Sequence, residues 1–282
     1  MHPVSQDAIV LGGVNYSDSS RIIWVLTPEF GRQSLIVKGA RRPRSKYQGL
    51  LETFNLVRVI YRKSRTGSLY VLREIDLQRP FTGIRASLEA FWAASIAVEL
   101  VKEVCKEEQE SKDLFELLKE FLTLADSSEK GEEILRTLLV AFRWRLASLV
   151  GLSPRLVECV GCGAKLSKAE KYRFMLVEGG LLCSGCEAAP LRPGALAFSL
   201  SYQALKLVYR SCRRFPASIE ELTPLPPAEL GNIEHLSQRY LEHHLALHPG
   251  LSTEKLCWPS GNKAMYAHKN SERDSETVEN AT

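Results

Sequence analysis

The chain has 282 residues, 45% hydrophobic and 25% charged, with 37 Lys plus Arg against 33 Asp plus Glu for a formal net charge of +4. That is the make-up of an ordinary folded protein of about two domains, and it excludes a disordered, collagen-like or disulfide-scaffold chain. The longest apolar run, Phe91 to Val101, is already broken by Glu99, and the short run Ala8 to Val14 follows Asp7 with no Lys or Arg before it. Neither a membrane-spanning role nor a secretory leader is expected from these segments, and a cytoplasmic location is.

Residues 5 to 78 read as five strands: Ala8 to Leu11, Arg21 to Leu26, Gln33 to Val37, Thr53 to Tyr61 and Leu69 to Leu77. In the fourth, Val57, Val59 and Tyr61 share one side. In the fifth, Leu69, Val71, Ile75 and Leu77 fall on one parity and Glu74 and Asp76 on the other, the alternation of a half-buried strand. Turn residues at Thr27-Pro28-Glu29-Phe30-Gly31 and Ser64-Arg65-Thr66-Gly67 punctuate the run. Five short strands in under 80 residues fit an OB-fold barrel.

From Pro80 the apolar spacing changes to three and four. Helices are expected at Arg85 to Glu108, Asp113 to Ala125, Glu132 to Val150, Tyr202 to Arg214 and Ala228 to Leu247. Leu135, Leu138, Leu139, Phe142 and Leu146 form one apolar stripe, read as core. Pro224, Pro226 and Pro227 precede the last helix, with Pro at or near its first turn. Beyond Trp258 the composition turns polar, and Ser260 to Thr282 is expected to be disordered. The fold class expected is α+β: an OB-fold barrel over 1–79, a helical domain over 80–258 with a zinc insert at about 155–190, and a tail over 259–282.

Seven cysteines with four in two Cys-x-x-Cys pairs argue for a reducing compartment rather than a disulfide framework. Cys159 and Cys162, then Cys183 and Cys186, have the spacing of a four-cysteine zinc ribbon. Tyr172 to Val177 and Leu181 to Leu182 form a hairpin about Glu178-Gly179-Gly180 between the pairs. Four thiolates close the coordination sphere, so the one zinc ion expected is a structural staple rather than a catalyst. Cys105, Cys212 and Cys257 are expected to be buried thiols. His244 and His248, one helical turn apart near Glu242 and His243, are a weaker metal candidate, read as exposed helix residues.

The charge is lopsided. The first 80 residues hold 13 Lys plus Arg against 6 Asp plus Glu, net +7, leaving 24 against 27 for the rest. Lys38, Arg41, Arg42, Arg44 and Lys46 lie in a nine-residue loop without an acid, and Arg62, Lys63 and Arg65 form a second cluster at the end of the next strand. Such cations neutralise phosphates, giving salt-sensitive binding independent of base sequence. Tyr47, Tyr61, Tyr70 and Phe54 are available for base stacking, at least half of them expected to be core instead. No P-loop, H-E-x-x-H, nucleophile elbow or carboxylate cluster for two metals occurs, so no enzyme active site is expected.

These residues resemble a known family. Leu26-Thr27-Pro28-Glu29-Phe30-Gly31 followed by Val37-Lys38-Gly39-Ala40-Arg41-Arg42-Pro43-Arg44-Ser45 looks like the most recognisable stretch of the bacterial recombination mediator RecO family. So does Cys159-Val160-Gly161-Cys162-Gly163, followed by Glu178 to Cys186 and Pro193-Gly194-Ala195. The resemblance covers roughly residues 5 to 258. It implies a DNA-repair protein that binds single- and double-stranded DNA and anneals complementary strands, working in the cytoplasm at the nucleoid. The partners it implies are RecR, the acidic C-terminal tail of single-stranded-DNA-binding protein and, indirectly, the recombinase RecA. It assigns DNA contact to Lys38, Arg41, Arg42, Arg44 and Lys46. Arg143, Arg145, Arg210, Arg213 and Arg214 are candidates for the acidic tail by charge alone. The rival reading is a zinc-ribbon subunit of a transcription or replication complex.

Overall fold

A computed structural model describes residues 3–63, 70–127, 131–167, 169, 171–188 and 195–245. The strands are β1 (Val4–Asn15), β2 (Arg21–Thr27), β3 (Gly31–Val37), β4 (Leu56–Lys63) and β5 (Tyr70–Arg79). They close a barrel in the order β1-β2-β3-β5-β4, with β1 pairing back to β4 and a short parallel contact between β3 and β5. This is the OB-fold barrel. Its interior is filled by inward residues of every strand, among them Ala8, Val10, Ile23, Val25, Leu35, Val57, Val59 and Tyr61. The burial pattern of β3 alternates without exception, as a strand with one wet face requires.

β5 departs from the simple alternation expected of it. Leu72 and Ile75 are the residues it buries, and Leu77 is exposed. A bulge accounts for Leu72: Ile60 pairs with Glu74 but Tyr61 with Leu72, so Arg73 is an extra residue that brings Leu72 onto the face of Ile75.

The helices are α1 (Thr82–Ala86), α2 (Leu88–Val104), α3 (Lys112–Asp126), α4 (Gly131–Leu149), α5 (Ser184–Glu187), α6 (Tyr202–Arg213) and α7 (Pro227–His244). The first helix expected from the sequence is split, because Ser87 is extended and its hydroxyl accepts a hydrogen bond from the Ala90 N–H at 3.1 Å, capping α2. Ser201 caps α6 in the same way, and Pro227 occupies the first turn of α7. The α4 stripe is core: Leu135, Leu138, Leu139, Phe142 and Leu146 are all at most 2% exposed.

The second half is not purely helical. A sheet ordered β7-β6-β8 joins β6 (Lys171–Met175) and β7 (Gly180–Leu182), the expected hairpin, to β8 (Ala197–Ser201). β8 alternates Phe198 and Leu200 with Ser199 and Ser201, but at five residues with only Leu200 fully buried the pattern is too short to stand out in the sequence. Tyr172, Phe174, Leu181 and Leu200 belong to the same core as the helices, with Phe174 against the Trp144 and Tyr240 rings. Cys105 is buried, and burial pushes the half-buried Cys212 thiol up to about 11. Cys257, His248 and the tail from Ser260 lie outside the described residues.

The β2–β3 turn is where barrel meets helices. Its Thr27 hydroxyl donates to the Gly31 carbonyl at 3.0 Å and accepts from the Phe30 N–H. Ser111 N–H donates to the Pro28 carbonyl at 2.9 Å, and Arg32 N–H to the Lys106 carbonyl. Gly31 has φ +61°, and a Cβ there would sit 2.5 Å from the Lys106 carbonyl oxygen and 2.6 Å from that of Gln109. Gly31→Ala is therefore expected to destabilise the protein by about 1–3 kcal/mol from backbone strain alone. Urea denaturation reads this, and an unchanged midpoint would mean the turn has slack.

Candidate nucleic-acid interface and metal centre

The basic loop is a chain of tight turns. Arg42 N–H donates to the Gly39 carbonyl, Ser45 N–H to that of Arg42, Gln48 N–H to that of Ser45 and Leu50 N–H to that of Tyr47. Gly39, at φ +78°, permits the first turn, and Asn55 Nδ2 fastens the far end by donating to the carbonyls of Gly49 and Leu50. Lys38, Arg41, Arg42, Arg44 and Lys46 are all exposed, and among the described residues none of them is paired with a carboxylate. Arg58 and Arg79 differ, being held by Asp7 at 2.8 Å and Asp126 at 3.1 Å. The loop thus presents uncompensated positive charge on an ordered backbone.

Strand register brings the second cluster near. Tyr70 and Val71 of β5 pair with Leu35 and Ile36 of β3 on one side and with Lys63 and Arg62 of β4 on the other. The last residues of β3 and β4 therefore flank one stretch of β5. Arg62 is exposed there; the Lys63 side chain and Arg65 lie outside the described residues.

The four aromatic rings suggested by the sequence are mostly unsuitable as platforms. Phe54 and Tyr61 are 1% exposed, the first packed edge-on against Phe91 and the second accepting a hydrogen bond from Gln6 Nε2. Tyr70 is half-buried and donates to Glu108 at 2.9 Å. Tyr47 is half-buried with the Lys46 ammonium 5.2 Å from its ring.

The two Cys-x-x-Cys pairs meet. One ligand atom from each of Cys159, Cys162, Cys183 and Cys186 lies within 4.8 Å of all the others, and Cys162 Sγ and Cys183 Sγ are 3.6 Å apart. Tetrahedral zinc with four thiolates places sulfurs about 3.8 Å from each other. The backbone is shaped for thiolates: Gly161 N–H and Cys183 N–H each donate to Cys159 Sγ at 3.3 Å. Burial alone would raise the Cys159 thiol, but backbone hydrogen bonds from Cys183, Cys162 and Gly161 outweigh it and lower it to about 6. Cys186 is pushed up to about 12 by its interactions with Cys162, Cys183 and Cys159. Four sulfurs this close share one cation well and four protons badly, so the donor set can hold a metal ion. The cluster sits at the edge of the β6–β7 hairpin, where Cys159 N–H donates to the Ala164 carbonyl and Val160 N–H to that of Leu181.

Of the five arginines singled out for an acidic ligand, Arg143 is 3% exposed and directed at Ser237 and the Glu234 carbonyl. Arg145 Nη1 donates to the Cys212 and Arg213 carbonyls, holding the end of α6. Both serve the fold. Arg210, Arg213 and Arg214 instead line a groove of about 640 Å³ between α6 and residues 220–223, together with Leu207, Leu222 and the acids Glu220 and Glu221. There the Arg213 guanidinium lies 4.5 Å from the Tyr209 ring centre, and Arg214 pairs with Glu221 at 2.8 Å.

Among the described residues no helix is long and apolar enough to cross a membrane. Residues 1–81 match the family model described as Recombination protein O N terminal, and residues 85–253 the one described as Recombination protein O C terminal. The chain is 34% identical over 245 residues to the DNA repair protein RecO of Anaeromyxobacter sp. (strain K), covering 87% of this chain and 92% of that protein. It is 31% identical over 245 residues to the DNA repair protein RecO of Myxococcus xanthus (strain DK1622), covering 87% and 93%. To the protein of that name from Symbiobacterium thermophilum it is 33% identical over 205 residues, covering 72% and 78%.

Proposed function

The chain belongs to the RecO family of DNA repair proteins, and on that premise we propose that it is a mediator of recombination that works by binding rather than by covalent chemistry. It binds single- and double-stranded DNA, anneals complementary strands and helps load RecA onto strand coated with single-stranded-DNA-binding protein, acting with RecR in the bacterial cytoplasm at the nucleoid. The observation that carries this reading is the ordered, uncompensated basic loop of Lys38, Arg41, Arg42, Arg44 and Lys46 on an OB-fold barrel. Two strands repel each other through their phosphates. A cationic surface that displaces counterions from both lowers that repulsion while bases find register.

Zinc is the ion we assign to Cys159, Cys162, Cys183 and Cys186. When bound it supplies cross-linking and no open coordination position, so its role is to fasten the hairpin.

The α6 groove is the seat we assign to the acidic tail of single-stranded-DNA-binding protein, because Arg210 and Arg213 supply charge beside the apolar side chains of Leu207 and Leu222, while Arg214 is already paired with Glu221. Reversing Arg210 and Arg213 to Glu should weaken a peptide of that tail by about tenfold, read by fluorescence anisotropy. Unchanged affinity would move the tail elsewhere.

The test of the whole reading is annealing of two complementary strands precoated with single-stranded-DNA-binding protein, across a salt series. Acceleration that fades with salt is expected. Binding without acceleration would favour a zinc-ribbon subunit of a transcription or replication complex.

A further inference from the structure

With Phe54 and Tyr61 buried and Tyr47 and Tyr70 half-buried, the barrel still offers one exposed tyrosine beside its cations. Tyr16 is 59% exposed, the highest value of any Phe, Tyr or Trp among the described residues. It sits at the tip of the β1–β2 hairpin, where its N–H donates to the Ser20 carbonyl at 3.1 Å, Ser17 N–H donates to the same carbonyl and Ser20 N–H donates to the Ser17 hydroxyl. The tip is thus a built turn. It is also fastened to the basic loop: Arg41 N–H donates to the Ser19 carbonyl at 3.1 Å, and Arg41 Nη1 donates to the Ser17 carbonyl at 2.7 Å. At the base of the same hairpin Asn15 faces Arg21, whose other neighbour across the sheet is Val37, the residue before Lys38. Ring and cations therefore stand on adjoining turns held in fixed relation, and Arg41 is the tie between them.

An exposed phenol ring beside uncompensated cations has the two elements that single strands require, a π-face for a base and charge for the phosphates next to it. We propose that Tyr16 is a base-stacking platform that gives the basic loop its grip on unpaired strand, in preference to duplex, whose bases are hidden in the stack. This rests on the DNA-binding reading above. The ring carries no positive charge and displaces no counterion, so its contribution is separable from that of the loop by salt dependence: it reads bases, and the loop reads phosphates.

The experiment compares the full chain with its Tyr16→Ala and Tyr16→Phe variants. The probes are a labelled oligothymidylate, a strand of equal length with abasic tetrahydrofuran residues in place of thymidine, and a duplex. The unsubstituted protein is expected to bind the thymidylate about fivefold or more tightly than the abasic strand. Tyr16→Ala is expected to bind both single strands alike, Tyr16→Phe to retain the preference, and all three to bind duplex equally with the same salt slope. Retention of the full thymidylate preference by Tyr16→Ala overturns the proposal, as does an unsubstituted protein with no preference for bases. A parallel variant reversing Arg42 and Arg44 separates the two readings. If it loses affinity for every probe while Tyr16→Ala changes none, stacking falls and the DNA-binding interface stands. If it loses none, the interface falls and the platform with it.

Discussion

Reversing Lys38, Arg42, Arg44 and Lys46 to Glu is expected to lower affinity for single-stranded DNA by about a hundredfold or more at moderate salt. Each phosphate contact to a single strand contributes about −0.7 to the slope of log affinity against log salt, so loss of four contacts should flatten that slope by about 3 units. Arg41 is left intact because its hydrogen bonds to Ser17 and Ser19 hold the hairpin, and its loss would confuse structure with binding. The four chosen side chains are exposed and carry none of the loop's backbone hydrogen bonds, so the melting temperature should not move. Titration at four salt concentrations gives both numbers. A wild-type slope in the variant would place the phosphates elsewhere.

The second large effect concerns the cysteines. A protein in which Cys162 and Cys183 are both Ser is expected to retain no zinc by elemental analysis, against one equivalent in the unsubstituted chain. A bound ion would clip residues 24 apart in sequence, Cys159 and Cys183, and loop-closure entropy values such a clip at about 3 kcal/mol. The loss should be uneven. Tyr172, Phe174 and Leu181 share the core of the helices and keep the hairpin seated, whereas the segment around Gly161 and Gly163 is held chiefly by the sulfurs and a few backbone bonds. Limited proteolysis should therefore cut near residues 159–167 in the variant and spare the barrel. Full protease resistance together with zinc loss would show that the cluster is not a staple. DNA affinity should change little in either case, which distinguishes this variant from the charge reversal.

Much of this was legible in the chain because the signals are local. Short apolar runs between turn residues marked the five strands, three-and-four spacing marked the helices, and the two Cys-x-x-Cys pairs declared a shared site. What escaped depends on neighbours distant in sequence. The bulge at Arg73 exists because β5 must match two registers at once, β8 is a strand because β6 offers it an edge, and Arg143 is buried because α7 lies across it. Charge alone could not sort Arg143 from Arg210, nor composition Tyr61 from Tyr16. Only the packing says which ring faces water. The Thr27–Gly31 stretch taught something else: a motif that helps mark the family serves here as the socket that receives the α2–α3 connection, not as part of the basic surface.

That socket has company. Ile9, Leu11, Leu26 and Phe54 come from the barrel yet lie in the same buried cluster as α2, α3 and α4. The two halves share one buried cluster, so a fragment ending near residue 80 would expose an oily scar where the helices now cover those four side chains.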